Sequence, residues 1–450
     1  MPVSYDYDIV VIGSGPAAQA VAWECRSSNL RLALVEGREY GGTCPLRGCD
    51  PKKVLVGAAE VIGRAAGMRG RGIRSQNEIR WPDLIRFKRT FTDPIPAQME
   101  KRLSEWGIDT YHGWARFLGH NTVQAGEKNL TGRYIVIGSG AIPGRLGIEG
   151  EEHVISSDQF LDLEALPETI AFVGGGYISF EFAHVAALAG SKALILQRGP
   201  KPLKGFDPDL VQILVRASGK IGVEVLSNLP VRSVERRGKR FGIRAGEKGE
   251  HSLEADLVVH GAGRVPHIQR LDLGKAGVES SPRGVLVNEY LQSISNPSVY
   301  AAGDAAATPY PLTPTANLGG KTVARNILSG NTVKADTRGV PSVVFTFPPL
   351  ASVGLDEEEL RRRGIEYEKK FAETSSWFDS RRIGLEDSGM KILAGKNSRK
   401  ILGVHLLGNH AEEAINVFAL AIRLGLTTDD LGQIPWVYPS SVSEMGYLIG

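Results

Sequence analysis

One pattern occurs twice in this chain, and it constrains the fold more than any other feature of the sequence. The first copy reads Asp8-Ile-Val-Val-Ile-Gly-Ser-Gly-Pro-Ala-Ala18, and the second reads Ile170-Ala-Phe-Val-Gly-Gly-Gly-Tyr-Ile-Ser179. Each is a short apolar run, then a glycine cluster, then a stretch able to form a helix. β-Branched residues suit a pleated strand and glycines permit a tight turn, so strand, turn and helix are expected twice. A second apolar run comes after each helix, Leu32 to Glu36 and Ala193 to Arg198. Two βαβ units of the dinucleotide-binding kind are therefore expected, and the fold class is α/β.

In the first unit Gly13-x-Gly15-x-x-Ala18 opens the helix. Gly13 allows the turn, Gly15 lets a pyrophosphate approach the backbone, and Ala18 is small enough for the helix to pack on the strand. The helix N-terminus offers free N–H donors and the positive end of its dipole. Glu36 ends the next strand, where a carboxylate accepts hydrogen bonds from ribose hydroxyls. Glycines alone are a weak signal; with strand, helix and acid all in place the signal is specific.

A length of 450 residues allows about three domains. The formal net charge is only +3 and no long lysine or arginine block occurs, so no nucleic-acid partner is expected. The first residues lack the basic start, apolar core and cleavage site of a secretory signal, and no apolar run reaches the ~18 residues of a membrane span. A cytoplasmic protein is expected. Its three cysteines are too few for a secreted disulfide framework.

Two of those cysteines stand close together, in Gly41-Gly-Thr-Cys44-Pro-Leu-Arg-Gly-Cys49-Asp-Pro-Lys52-Lys53. One helical turn and a residue can bring their Cα atoms within the ~4.4–6.8 Å of a disulfide. Arg47, Lys52 and Lys53 supply the cations that favour thiolates. Zinc fits poorly, because no second cysteine or histidine pair stands nearby to complete a tetrahedral set, and no metal is expected. A structural disulfide remains the bland alternative to a redox-active pair. Cys25, in the first helix, is expected to be a buried, inert thiol.

The run from Val35 to Lys53 resembles the signature of the class I pyridine nucleotide-disulfide oxidoreductases, the family of glutathione reductase, dihydrolipoamide dehydrogenase and mercuric reductase. Their pattern is Gly-Gly-Thr-Cys, four residues, then Cys-x-Pro-x-Lys. The likeness continues through the second glycine turn, through Ser298-Val-Tyr-Ala-Ala-Gly-Asp304, and from Phe347-Pro-Pro to the end. It implies two Rossmann-like FAD- and NAD(P)-binding domains plus an α+β C-terminal interface (dimerisation) domain. The expected division is 1–148 and 270–338 for FAD, 149–269 for NAD(P)H, and 339–450 for the interface.

The resemblance assigns FAD to Gly13, Gly15, Pro16, Ala18, Glu36, Gly42, Thr43, Lys53 and Gly138, with Asp304 on the ribityl chain and Thr313 at a helix start. It assigns the nicotinamide cofactor to Gly174, Gly176, Tyr177, Ile178, Ser179 and Gly263, with Tyr177 as the aromatic that gates the pocket. It pairs Glu181 with Lys52 beside the flavin. It implies that Cys49 makes the charge-transfer thiolate and that Cys44 is the interchange thiol. A homodimer is also implied, because the interface domain completes the partner's site.

The choice of nicotinamide cofactor can be argued physically. NAD binders place an acid at the end of the second strand, where it would repel a 2′-phosphate. Here that strand ends Gln197-Arg198, with Lys204 six residues on. Two cations and no acid suit the phosphate, which arginine can bind bidentately, so NADPH is expected.

The end of the chain departs from the family. The disulfide reductases carry His-Pro-Thr-x-Ser-Glu there, with the histidine as acid/base and the glutamate orienting it. This chain reads Val437-Tyr438-Pro439-Ser440-Ser441-Val442-Ser443-Glu444. Alignment on the proline puts Tyr438 at the histidine; a shift of one keeps Glu444 but puts Pro439 there. Histidine titrates near ~6.5 and tyrosine near ~10. A positioned acid/base contributes ~10²–10⁴-fold, so glutathione disulfide and lipoamide should be poor substrates.

The expected activity is electron transfer from NADPH through FAD to the Cys44–Cys49 disulfide. From there electrons pass to a small-molecule or small-protein acceptor that is a disulfide or otherwise thiol-reactive. Two alternatives stand beside it. One is a flavin reductase of a metal ion, quinone or oxygen. The other is a flavin-bound redox sensor or docking component with little turnover.

Overall fold

The computed structural model describes residues 4–74 and 77–449. They form two compact units. The first comprises the residues through Pro51, Phe87–Gly144 and Arg264–Thr337; the second comprises Lys52–Arg86, Arg145–Gly263 and the residues from Arg338 on.

The first unit is built on a seven-stranded sheet. Strands Asp109–His112, Leu32–Glu36, Tyr7–Ile12 and Lys128–Ile137 run parallel in that order, and Val299–Ala301 joins Lys128–Ile137, also parallel. Thr122–Ala125 and Ala115–Gly119 extend it antiparallel. Both faces are covered, which is why Tyr7–Ile12 and Leu32–Glu36 read as near-continuous apolar runs rather than alternating ones. One face packs the helices Pro16–Cys25 and Thr313–Ser329, through Ala18, Val21 and Val323 among others. A methyl on Gly320 would come 2.2 Å from Ala17 O, so the two helices meet at a glycine.

The second unit holds a four-stranded parallel sheet in the order Val223–Leu226, Lys192–Leu196, Thr169–Val173, Leu257–His260. The helix Tyr177–Leu188 crosses it and is buried almost all round. A three-stranded antiparallel sheet, Val231–Arg237, Arg240–Ala245 and His251–Ala255, packs beside it. The C-terminal part of this unit is a five-stranded antiparallel sheet carrying the helices Ala411–Leu424 and Ser441–Ile449. Fully buried Lys391 of that sheet reaches Asp207, Asp209 and Glu357 at 2.6, 2.6 and 2.8 Å. Its ammonium occupies the only triplet of acids close enough to hold a cation among the described residues.

Local sequence accounts for most of the element ends. The helix Thr313–Ser329 begins at the helix start that the resemblance implies, because Pro314 suits the first turn of a helix. The strand expected to run to Arg198 stops at Leu196; Gln197 turns its side chain back to the glycine turn instead. No described helix is long and apolar enough to cross a membrane.

Candidate active site

In the first unit the glycine turn is closed from two sides. Gly13 has φ +105°, and a methyl there would lie 2.3 Å from Gly138 O. Gly42, at φ +77°, leaves no room for a side chain against Gly15, whose Cα would be 2.4 Å away. The helix Pro16–Cys25 starts at Gly15 with no side-chain cap, so its first N–H groups are free for an anion, and buried Ala18 lets it sit down on the strand. Glu36 accepts from Ser14 N and Oγ at 3.1 and 2.7 Å and from Arg38 N at 2.9 Å. Ser14 Oγ in turn accepts from Gly41 N at 2.9 Å. Ser14 thereby ties the strand-end acid to the loop leading into the cysteines, a role that its place between the two glycines could have suggested.

The remaining polar groups of this cradle suit a phosphate and polyol ligand. Ser139 Oγ is buried without a hydrogen-bond partner. Asp304 stands just beyond the strand Val299–Ala301, and burial raises its carboxyl above the usual range, opposed by Arg264. A desolvated carboxylate of this kind gains from accepting hydroxyl donors. The residues assigned to FAD within this unit therefore fit it. Lys53, assigned with them, belongs to the second unit, where it pairs with Glu60 at 2.9 Å and lies over the Phe345 ring.

The cysteines lie on consecutive helices, Cys44 on Thr43–Arg47 and Cys49 at the start of Cys49–Gly67. Both are free thiols, Cys49 exposed and Cys44 half-buried. The Cys44 thiol is pushed up, first by its hydrogen bond to Cys49 and then by burial. Cys49 Sγ lies 3.3 Å from Thr313 Oγ1, at the start of the long helix Thr313–Ser329, where N–H donors favour a thiolate. Cys44 Sγ lies 4.0 Å from Asp50 Oδ1. Arg47, expected to assist the thiols, is engaged with Glu39 at 2.8 Å. Cys25 is buried and its thiol is pushed up to about 12, which makes it inert.

The second unit repeats the cradle with a different closure. Gly174 has φ +106°, and a methyl there would lie 2.5 Å from Ala262 Cα. The helix Tyr177–Leu188 starts uncapped at Gly176, and Ser179 Oγ is buried without a partner. Gln197 Oε1 accepts from Gly175 N at 2.9 Å and Leu203 N donates to Gly175 O at 2.8 Å, so the loop beyond the strand is pinned to the turn. Gln197 was not expected as an anchor; its strand-end position was the available signal. Arg198 and Lys204 are both exposed, Tyr177 is half-exposed beside half-buried Ile178, and Gly263 has φ +111° with open space around it. These residues fit a nicotinamide dinucleotide.

Elsewhere in the second unit, Lys52 Nζ pairs with Glu181 Oε1 at 2.9 Å with both groups largely buried, and that oxygen also accepts from Phe345 N at 2.8 Å. Glu444 is buried and accepts from Asp379 N at 2.9 Å, while Asp379 accepts from Asn409 and Ser441. Tyr438, six residues before it, is 74 % exposed. His405 is buried against Ser352 Oγ, as a structural residue would be.

Two glycine cradles and one thiol pair define a dinucleotide-dependent dithiol oxidoreductase. The chain belongs to the pyridine nucleotide-disulphide oxidoreductase family: that family's model matches residues 7–320, and its dimerisation domain matches residues 340–448. It is 31% identical to a mercuric reductase of Staphylococcus aureus over 95% of this chain and 79% of the relative. It is 29% identical to a glutathione reductase of Nostoc over 98% and 99% of the two chains. Among solved structures it matches a Cu(II) complex of the HOCl-induced flavoprotein disulfide reductase RclA from Escherichia coli, with a TM-score of 0.88, 25% identity and 99% of each chain covered. The protein is accordingly an FAD-containing, NAD(P)H-dependent oxidoreductase.

Proposed function

We propose that this enzyme takes electrons from NADPH, passes them through FAD to the Cys44–Cys49 disulfide, and delivers them to a disulfide or other thiol-reactive acceptor. The observation that carries this reading is the thiol pair itself, with Cys49 against Thr313 at a helix start and Cys44 hydrogen-bonded to Cys49. Bound FAD supplies two-electron transfer between the nicotinamide and the dithiol. Glu36, Asp304 and the uncapped helix at Pro16 hold and orient it. Cys49 keeps its charge beside Thr313, and Cys44 is the thiol that attacks the acceptor. Gly174, Gly176, Ile178 and Gly263 admit the nicotinamide cofactor, Tyr177 covers its ring, and Arg198 and Lys204 take the 2′-phosphate. The buried Lys52–Glu181 pair fixes a cation in the first turns of the cysteine-bearing helix.

The working form in this reading is a homodimer. Val437, Tyr438, Leu420, Leu424 and Tyr447 are large, exposed apolar or aromatic side chains within the segment that matches the dimerisation domain. Tyr438 would then present its ring and hydroxyl to the partner, held by a tail that Glu444 anchors on Asp379. The segments 1–148, 149–269, 270–338 and 339–450 are the proposed working divisions.

A second reading, reduction of a metal ion, is favoured by the relatives named mercuric reductase and by the Cu(II) complex of the matched structure. An anaerobic NADPH titration tests the first step for both. A long-wavelength absorbance band at about two electrons places the thiol pair in the electron path. Bleaching without that band removes it. An acceptor panel with wild type and Cys44→Ser then separates the two, because disulfide exchange is lost without Cys44.

A further inference from the structure

We propose that Asp50 is the catalytic acid/base of thiol exchange at Cys44, supplying from within the chain the proton transfer for which the C-terminal segment has no histidine. The inference rests on the reading of Cys44 as the interchange thiol. Asp50 is the next residue after Cys49, and its Oδ1 stands 4.0 Å from Cys44 Sγ. Hydrogen bonds of this kind are commonly long before substrate arrives and shorten in the reacting complex.

Two other polar groups stand near the pair. Arg47 is held by Glu39, and Thr313, a neutral hydroxyl, hydrogen-bonds both thiols. The histidines of this unit are also placed away: His112 pairs with Glu100, His120 lies against Gly277, and His267 packs on Trp114. Desolvation raises the Asp50 carboxyl above its ordinary value, and the residue stays exposed to solvent.

In the exchange step, the Asp50 carboxylate takes the Cys44 thiol proton as Cys44 sulfur attacks an acceptor disulfide RS–SR′. The Cys44–SR bond forms, the S–S bond breaks, and R′S⁻ leaves with the proton returned by Asp50. The Cys49 thiolate then attacks Cys44 sulfur, forming the Cys44–Cys49 disulfide and releasing RS⁻, which takes a proton from water. The dithiol is oxidised by two electrons and the acceptor reduced by two, giving RSH and R′SH.

Leaving-group basicity separates this role from a structural one. An alkyl thiolate, of pKa ~8.5, leaves more slowly and gains more from a returned proton than an acidic aromatic thiolate such as nitrothiobenzoate. Holoenzyme reduced with dithiothreitol and desalted is mixed with hydroxyethyl disulfide or with dithiobis-nitrobenzoate, and thiol release is monitored in a single turnover. Asp50→Asn should slow both reactions, because both need the Cys44 proton removed, but the alkyl one by at least about tenfold more, because its leaving thiolate also loses the returned proton. Asp50→Glu, which keeps the carboxyl, should return the alkyl rate to within about tenfold of wild type. Equal losses with both disulfides, no loss with either, or a wild type that rejects the alkyl disulfide as strongly as Asp50→Asn would overturn the proposal. Chemical reduction keeps this result independent of the NADPH titration, so the failure of either reading can be told from the failure of the other.

Discussion

The two glycine turns share one plan and are closed in opposite ways. At the first, Ser14 is fully buried and links Glu36 to Gly41, and Gly42 is pressed against Gly15. The loop that carries the cysteines thus forms a wall of the cradle. At the second, Gln197 and Leu203 hold only the backbone of the turn, and the groups around the opening, Tyr177, Arg198 and Lys204, are exposed in whole or part. In the proposed assignment the walled cradle retains FAD and the open one exchanges the nicotinamide coenzyme, so the loop that leaves the second strand would set the role of each βαβ element.

The largest test of that contrast is steric. Gly13→Ala and Gly174→Ala put a methyl into nearly identical conformations, 2.3 Å from Gly138 O and 2.5 Å from Ala262 Cα. Overpacking and positive φ together cost a few kcal/mol, on the order of a thousandfold in binding. Gly13→Ala should purify without flavin absorbance. Gly174→Ala should keep the flavin but lose rapid reduction by NADPH in stopped flow. Loss of flavin from both would erase the distinction.

Next in size is Arg198→Glu. Replacing the cation proposed to bind the 2′-phosphate by an acid should lower kcat/KM for NADPH about a hundredfold and favour NADH, with flavin content unchanged. Steady-state kinetics with both coenzymes reads this directly, and unchanged preference would sink the assignment of the 2′-phosphate.

A smaller difference concerns acid. His184, on the second cradle's helix, accepts from Phe347 N at 3.1 Å through Nδ1 and meets Ser218 Oγ at 2.9 Å through Nε2; burial lowers it to about 3. It stays neutral while folded, so the unfolded chain binds the extra proton. Its stabilising contribution is complete above pH ~6.5 and falls by ~1.4 kcal/mol per pH unit below that, toward pH 3. Denaturant melts should show ~2 kcal/mol lost between pH 7 and pH 5, and His184→Gln should flatten that slope. The first cradle's helix ends instead in Cys25, whose raised thiol does not titrate in acid.

The smallest effects are expected at the linking side chains. Ser14→Ala and Gln197→Ala each remove hydrogen bonds worth ~1 kcal/mol. The first should raise the FAD dissociation rate about fivefold, and the second the KM for NADPH by a similar factor. A shared effect on both ligands would blur the two sites again.

Much of this protein was legible in its sequence, for a physical reason. A strand end that must turn within a few residues tolerates only glycine at φ near +105°, and Gly13 and Gly174 announce that requirement locally. The same holds for the apolar run Leu32–Glu36, which became a strand with those bounds. The cysteine spacing likewise lies within one local segment.

What the tertiary structure alone decided involves groups brought together from afar or turned by their surroundings. Glu444 could be read as a site acid by its place near Tyr438, yet packing buries it on the Asp379 N–H, 65 residues away in sequence. Lys53 stands in the cysteine signature but turns to Glu60 and Phe345. Asp50 is an unremarked residue in the chain until folding sets its carboxylate beside Cys44. Local steric rules write backbone turns into the sequence; a side chain's partner depends on desolvation and on distances that exist only once the chain has folded.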